Sequence, residues 1–539
     1  MTAARDHNRV SLLKRQHHAA CFARAFPASL DEQKKTHREL ARFETGIEGL
    51  PKKQKAKLDE SGIAGTRIHY CFSFDVARWL ATTSPGSVAI DWVELSDYES
   101  LDNLLRQILQ PSEDEYFDSG YVDTREWVAL ASSGYEGTDF DWLMAQLRHK
   151  KFEMVWRELY DAAEVPLVWD LAKSRFSISR NIFPLAPIVA RERGFRSRPA
   201  NTRKEIEQTL GPIPKLPKRD GVRMINVAMA SLAARHRETY HFNFANPEEV
   251  YLADVGEGVA IAVFGLQAAH RFPLECTMGY LILSNGVPVG YGGASLLFKQ
   301  VNTGINIFDD YRGSEAAYLW VQVMRVYHSL VGCTRFVANS YQLGHDNSEA
   351  LQSGAFWFYY HLGYRPVGQE IRQLAISELA KKRYNKAYRS GRQTLRKLAN
   401  GDMHLTLSGA RRSEFFDEKW LPTLSKLATR ELGRTASATR QEAVDLLMKN
   451  VARDLCIRSL DSWTSNERRS LRALAPFIAA CEPDSWSQST KRTARKILRA
   501  KGGRFELDYA HRLCGDNLLL QYFRAVCQRE EGLRVSVPG

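Results

Sequence analysis

Asp309-Asp310-Tyr311-Arg312-Gly313 follows a short strand-like run, INIF. It precedes a stretch in which Ala316, Trp320, Val323, Tyr327 and Leu330 recur at the three- and four-residue intervals of a helix face. A helix that starts from such a turn leaves its first backbone amides without carbonyl partners, and together with the helix dipole they form a site for an anion. Two carboxylates end the strand, and because neighbouring strand residues face opposite sides, at most one of Asp309 and Asp310 points into a cleft. The other reading of each is a solvated strand end. Further on, the aromatic run Phe356 to Tyr360 is either core-edge packing or the wall of a site.

Other candidates are weaker. His328 and His361 lie on helices and read as structural histidines rather than bases. His236 and His241 are five residues apart, a poor spacing for a metal on one helix face. Gly290, Gly292 and Gly293 allow a ligand backbone to approach closely, or mark a bulge. The eight cysteines show no CxxC and no tight Cys/His spacing, so neither a disulfide framework nor a zinc site is suggested, and reduced thiols in a cytoplasm are expected.

The elements that must position these residues alternate between strand and helix signals from Gly258 to Val367. VAIAVFGL is a buried-strand candidate, and MGYLILS and VPVGYGGASLLF flank Asn285-Gly286, the strongest short signal for a two-residue hairpin. After INIF and the helix stopped by Gly332 comes the strand RFVAN. Asn347 then caps a helix with the stripe Leu351, Ala355, Phe358 and Leu362, closed by Gly363 before a last strand at Tyr364 to Val367.

This order, with YRGSEAA and AFWFYYHLGYRPV, resembles the GNAT superfamily of acyl-CoA-dependent N-acyltransferases over about 110 to 150 residues. The resemblance implies that the turn and helix start hold the coenzyme A diphosphate through Arg312, Gly313, Ser314, Ala316 and Ala317, with Glu315 where the family usually has glycine. It also implies a second motif at Gln352, Ala355, Tyr359, Gly363 and Tyr364, in which Gln replaces Asn and Tyr replaces Phe. Tyr359 is then the acid that protonates the departing thiolate, and Asp309 or Asp310 the carboxylate that relieves the amine of its proton through water. Glu315 either complements the helix dipole or faces the phosphates, where a carboxylate about 5 Å from an oxygen costs roughly 3 kcal/mol at an effective dielectric near 20.

The expected fold class is α+β, with a GNAT-like mixed sheet flanked by helices in a central domain between mainly helical N- and C-terminal domains. The 539 residues, 44% hydrophobic and 25% charged, exclude disorder throughout and suggest two to four domains. The expected divisions are a helical unit at 1–195, in which LDNLLRQIL, REWVALA, DWLMAQLRHKKFEMVWREL and VPLVWDLAK carry helical spacing, a proline-rich exposed linker at 196–221, the acyltransferase-like unit at 222–385, and an all-helical basic unit at 386–539. No apolar stretch approaches the length of a membrane span, and no secretory signal precedes the first unit. The net charge is +13, and from Ala387 onward there are 28 Lys and Arg against 17 Asp and Glu, so +11 of it lies there. Lys491, Arg492, Arg495, Lys496 and Arg499 form either a solvated face or a contact for nucleic acid.

The expected activity is transfer of an acyl group from a thioester donor, acyl-CoA or an acyl-carrier protein docked on the basic region, to an amine or hydroxyl. No metal is implied. The alternative is a non-catalytic binding protein of the same fold whose basic region meets nucleic acid or an acidic partner.

Overall fold

Asn285 and Gly286 both adopt positive φ (+49° and +79°), the combination that a two-residue hairpin turn demands. They join β6 (Cys276–Ser284) to β7 (Val287–Leu297) in antiparallel register. The computed structural model describes residues 2–119, 122–148 and 152–532. Around this hairpin stands a mixed nine-stranded sheet with β4 (Ala245–Gly256), β5 (Val259–Leu266), β8 (Gln300–Thr303), β9 (Asn306–Ile307), β10 (Arg335–Ala338), β11 (Arg365–Pro366) and β12 (Met403–Thr406). The order is β11-β12-β10-β8-β7-β6-β5-β4, with β9 continuing on β7, and β10 with β8 is the parallel pair. Every residue of β5 and β6 is buried, as strands covered on both faces must be.

β8 and β9 are one strand interrupted at Gly304-Ile305. Ala294 pairs with Thr303 and Gly290 with Ile307, the same register on β7 before and after the break. Along this interrupted strand, β10 pairs only with Gln300, Val301 and Asn302. Beyond Asn302 the parallel partner is gone while the antiparallel one stays, so a wedge opens between β9 and β10. The helix Ala316–Val331 starts at that opening and ends at Gly332 in the left-handed region (φ +88°).

Three expectations change. VPLVWDLAK is a strand where it matters: Leu167 and Trp169 are buried while Val168 and Asp170 are partly exposed, the period of two of β3 (Leu167–Asp170). With β1 (Arg67–Tyr70) and β2 (Val88–Ile90) it forms an antiparallel sheet, order β1-β3-β2, among the N-terminal helices. Residues 149–151 of the expected DWLMAQLRHKKFEMVWREL helix lie outside the described residues; helices Asp139–Gln146 and Glu153–Ala163 stand on either side.

Residues 196–221 are mostly exposed, as expected of a linker, and are anchored to the rest at a few points. Ile206 of the helix Thr202–Glu207 is buried, Gln322 donates to Glu205 at 3.0 Å, and Leu216 N–H donates to Val250 at 2.8 Å. The 386–539 segment is not wholly helical either, since β12 enters the central sheet between β10 and β11. Met403 and Leu405 fill the core from this strand. The helix expected from Asn347 to Leu362 is split at Gly354 (φ +69°) into Ser348–Ser353 and Ala355–His361.

The β7 glycines are explained by the protein's own side chains. A Cβ at Gly293 would lie 2.0 Å from Cε1 of His241, and one at Gly292 would lie 2.4 Å from the Tyr280 hydroxyl. Burial pushes the His241 imidazole down to about 4, so it packs as a neutral ring. Gly293→Ala should cost about 1–3 kcal/mol through overpacking, read from urea unfolding. Combined with His241→Ala it should be less destabilised than the two single losses added together. A Gly293→Ala midpoint equal to that of the parent would refute the contact.

Candidate functional site

The wedge between β9 and β10 is a cleft of about 620 Å³. Its floor is the break in the strand. Tyr359, held by the short helix that restarts after Gly354, is buried, and its hydroxyl oxygen accepts a hydrogen bond from the Ile305 amide at 3.4 Å. On the other side of the same break the Tyr280 hydroxyl donates to the Gly304 carbonyl. Trp320 and Tyr364 stand edge-on to the Tyr359 ring at 6.1 and 5.2 Å. Burial raises the Tyr359 phenol above the ordinary tyrosine range, with the Ile305 N–H opposing in part. The phenol is therefore protonated at neutral pH, and because its oxygen accepts from Ile305, its own proton remains available to the cleft.

Asp310 forms one wall. It pairs with Arg235 at 2.8 Å and with His18 at 3.3 Å, its side chain only 7% exposed. Burial is the largest single influence and acts upward, but Arg235 and then His18 outweigh it and hold the carboxyl below its usual range. Arg235 also lies over the Phe308 ring at 4.3 Å. Asp309 is exposed and pairs with Arg312 at 2.8 Å. Arg312 reaches across to Glu349, which also faces Arg237 at 3.8 Å, so charged side chains rim the mouth.

Tyr359, Asp309, Asp310, Arg312 and Ala316 all line this one cleft; both aspartates reach it, against the expectation of at most one, because Asp309–Tyr311 forms a 3₁₀ turn rather than a strand end, whereas Gly313, Ser314, Ala317 and Gln352 lie outside the lining. Ser314 turns its hydroxyl back to the Tyr311 carbonyl at 2.7 Å, and Gln352 is exposed. Gly313 has a positive φ of +85° with open space where a Cβ would be, and no side chain caps the helix that follows. The first-turn amides are thus left in the state in which an anion can meet them.

Sequence motifs did not reveal the remaining wall. Lys14 and His18 come from the N-terminal helix Thr2–Ala25, Glu60 from the turn before β1, Arg235 and Arg237 from the turn after the helix Lys218–Ala233, and Gln342 and Glu349 from the segment after β10. No local pattern marks them, because only the tertiary fold brings them together. Among the described residues no cluster of His, Cys, Asp and Glu is arranged to hold a metal ion. His328 Nδ1 is engaged with the Cys333 carbonyl at 2.8 Å, and the eight cysteines are unpaired. Of the basic stripe, Lys491 is buried with its ammonium on the Asp484 carbonyl, Arg495 bonds the carbonyls of Leu455 and Cys456, and Arg499 pairs with Glu467.

No family model, curated protein or solved structure matches this chain. The cleft is read from its own geometry.

Glu315, at the start of the helix, faces away from the cleft. It is buried and bridged to the buried Arg191 at 2.9 and 3.2 Å, and it also accepts the Arg196 amide at 2.9 Å. Arg191 in turn donates to the carbonyls of Val189 and Glu257. Removing one partner of such a pair strands a buried charge, so Glu315→Ala should cost about 3–5 kcal/mol in urea unfolding, and the double change Arg191→Met with Glu315→Leu should recover much of it. A single-variant loss below about 1 kcal/mol would mean that the pair is solvated.

Proposed function

We propose that this chain is a GNAT-like acyltransferase that moves an acyl group from a thioester donor, acyl-CoA or a carrier protein, to an amine or hydroxyl. One observation carries the reading: β10 leaves β8 after Asn302, and at the point of departure the Ile305 amide and the Tyr359 hydroxyl meet over an open cleft beside an uncapped helix start. A strand edge without its partner presents backbone donors and acceptors, and an amide-bearing thioester arm can pair with them as an added strand would.

The residues fit a coenzyme A diphosphate. The amide of Ala316, which lines the cleft at the uncapped helix start, supplies a donor, and the turn at Gly313 and the Ala317 amide stand next to it outside the lining. Glu315 is spent on Arg191, so the like-charge cost expected from sequence does not arise. Arg312 is shared between Asp309 and Glu349 and can exchange these for phosphate. Acyl-CoA supplies the activated acyl group. Tyr359 holds a proton on its hydroxyl oxygen for a sulfur that accumulates charge. With the phenol pushed above about 10 and a thiol near 8.5, it acts chiefly as a hydrogen-bond donor whose transfer comes late. Asp310, doubly paired, orients Arg235 and His18. Asp309 is the carboxylate left to take the acceptor's proton through water, while Glu60 and Glu349 attract a cationic amine. The eight free cysteines suit a cytoplasmic setting. Among the described residues, no helix is long and apolar enough to cross a membrane.

The bridge from Arg312 to Glu349 favours a second reading, a binding protein of the same fold with a closed mouth. The two separate in one experiment. Coenzyme A at 100 times its Kd should add about 2.7 kcal/mol of stability, and thiol release from acyl-CoA should fall by about tenfold to a hundredfold in Tyr359→Phe with the fold intact. A flat melting curve with coenzyme A would select the binding protein or a carrier-protein donor, and unchanged thiol release would remove Tyr359 from the chemistry.

A further inference from the structure

A second cavity, of about 1120 Å³, lies against β8, β10, β11 and β12 and shares no lining residue with the first. The pairing register places Gln300, Arg335 and Thr406 on one face of the sheet, alternating with Val301, Phe336 and Leu405, which are buried on the other. The polar face is roofed by Phe415, Phe416 and Trp420.

Three polar atoms around this cavity are buried without a partner: Gln300 Oε1, Arg335 Nε and Trp420 Nε1. The indole N–H is the only polar group of Trp420, whose exposure is 8%. Buried donors and acceptors are almost always satisfied; these three have almost no accessible surface, so they lie in the walls beside the space and reach an occupant only by a small side-chain shift. The charges agree. Arg335, Arg365, Arg372, Arg412 and Arg524 line the cavity, and none of them belongs to an ion pair among the described residues. Four carboxylates share the lining: Asp402 accepts the Ser340 amide at 2.9 Å, Glu418 accepts from Gln300 at 3.0 Å and Asn302 at 3.2 Å, Asp417 pairs with Lys419 at 3.5 Å, and Glu531 stands at the edge, so the arginines and Lys419 outnumber them. Burial, and then the neighbouring Arg412, push the Arg335 guanidinium down to about 10, with Asp417 opposing in part. It is stacked 3.5 Å above the Phe415 ring.

We propose that this cavity binds a small phosphate monoester bearing hydroxyl groups. Guanidinium groups recognise planar faces of oxyanions with paired N–H donors, and several unpaired ones favour a dianion over a single carboxylate. The Trp420 indole donates to a further oxygen, and Gln300 Oε1 accepts from a ligand hydroxyl. This site is independent of the thioester cleft and of the reaction assigned to it.

The test is calorimetric titration of the full chain at low salt with glucose 6-phosphate, and with glucose and gluconate as the neutral and carboxylate counterparts. Binding of the phosphate ester with no heat from glucose is expected, gluconate being weaker. Arg412→Gln, at an exposed position, and Arg335→Gln should each weaken it by about tenfold. Trp420→Phe should weaken it less, and Arg312→Gln in the first cleft should leave it unchanged. If Arg335→Gln does not fold, Arg412→Gln and Trp420→Phe decide. No heat from the parent chain, affinity unmoved by Arg412→Gln, or affinity lost in Arg312→Gln would each overturn the proposal.

Discussion

The central constraint is a strand that keeps one neighbour and loses the other. β7 holds β8 and β9 in a single register, while β10 departs after Asn302. A departing partner leaves backbone groups to be satisfied, and the fold meets this with two phenols. Tyr280 donates to the Gly304 carbonyl from the packed side, and Tyr359 accepts from the Ile305 amide on the cleft side. The donor and acceptor roles are not interchangeable. Tyr280 uses its proton internally, whereas Tyr359 accepts with its oxygen, so the arrangement that stabilises the break also selects which tyrosine keeps its proton for the cleft.

The charges around the cleft are set by distant parts of the chain. Arg191, 124 residues before Glu315, removes that carboxylate from the helix start; His18 and Arg235 fix Asp310. The N-terminal region therefore completes the site, contributing a wall and neutralising the one residue whose type conflicts with phosphate binding. An isolated central unit at 222–385 would lack Arg191, His18, Glu60 and β12, and would expose both the Glu315 carboxylate and the β10 edge.

What the sequence made legible was local. The Asn285-Gly286 turn, the stop at Gly332 and the cap at Asn347 rest on backbone preferences that neighbouring residues determine, and all three stand as expected. That Tyr359, Asp309, Asp310 and Arg312 share one cleft was expected only through the family resemblance, which placed Gly313, Ser314, Ala317 and Gln352 beside them as well, and these four lie outside the lining. β12 was missed because a four-residue strand has no meaning without β10 and β11 beside it, and its alternation of Met403, Leu405 and Leu407 sits between helical stretches. In the 196–221 segment prolines and charges do mark a mostly exposed chain, while its anchors at Ile206 and Leu216 have no local signal because their partners are distant. The direction in which Glu315 points depends on Arg191, which no spacing rule connects to it.

The basic C-terminal excess acquires a place once its ion pairs are subtracted. Lys426 and Arg430 share Glu530, Arg472 takes Asp445, Arg499 takes Glu467, and the buried Lys501 takes Glu506. Those cations hold helices to one another, and Lys501 with Glu506 also ties the region to the sheet through Arg271. Arg412 and Arg524 remain without carboxylate partners among the described residues, on the same cavity as Arg335 from β10. Part of the charge that looks diffuse along the sequence is thus consumed in helix packing, part, as at Arg469, Arg492 and Lys496, stands exposed without an ion pair among the described residues, and Arg412 and Arg524 border the cavity beside β10 and β12.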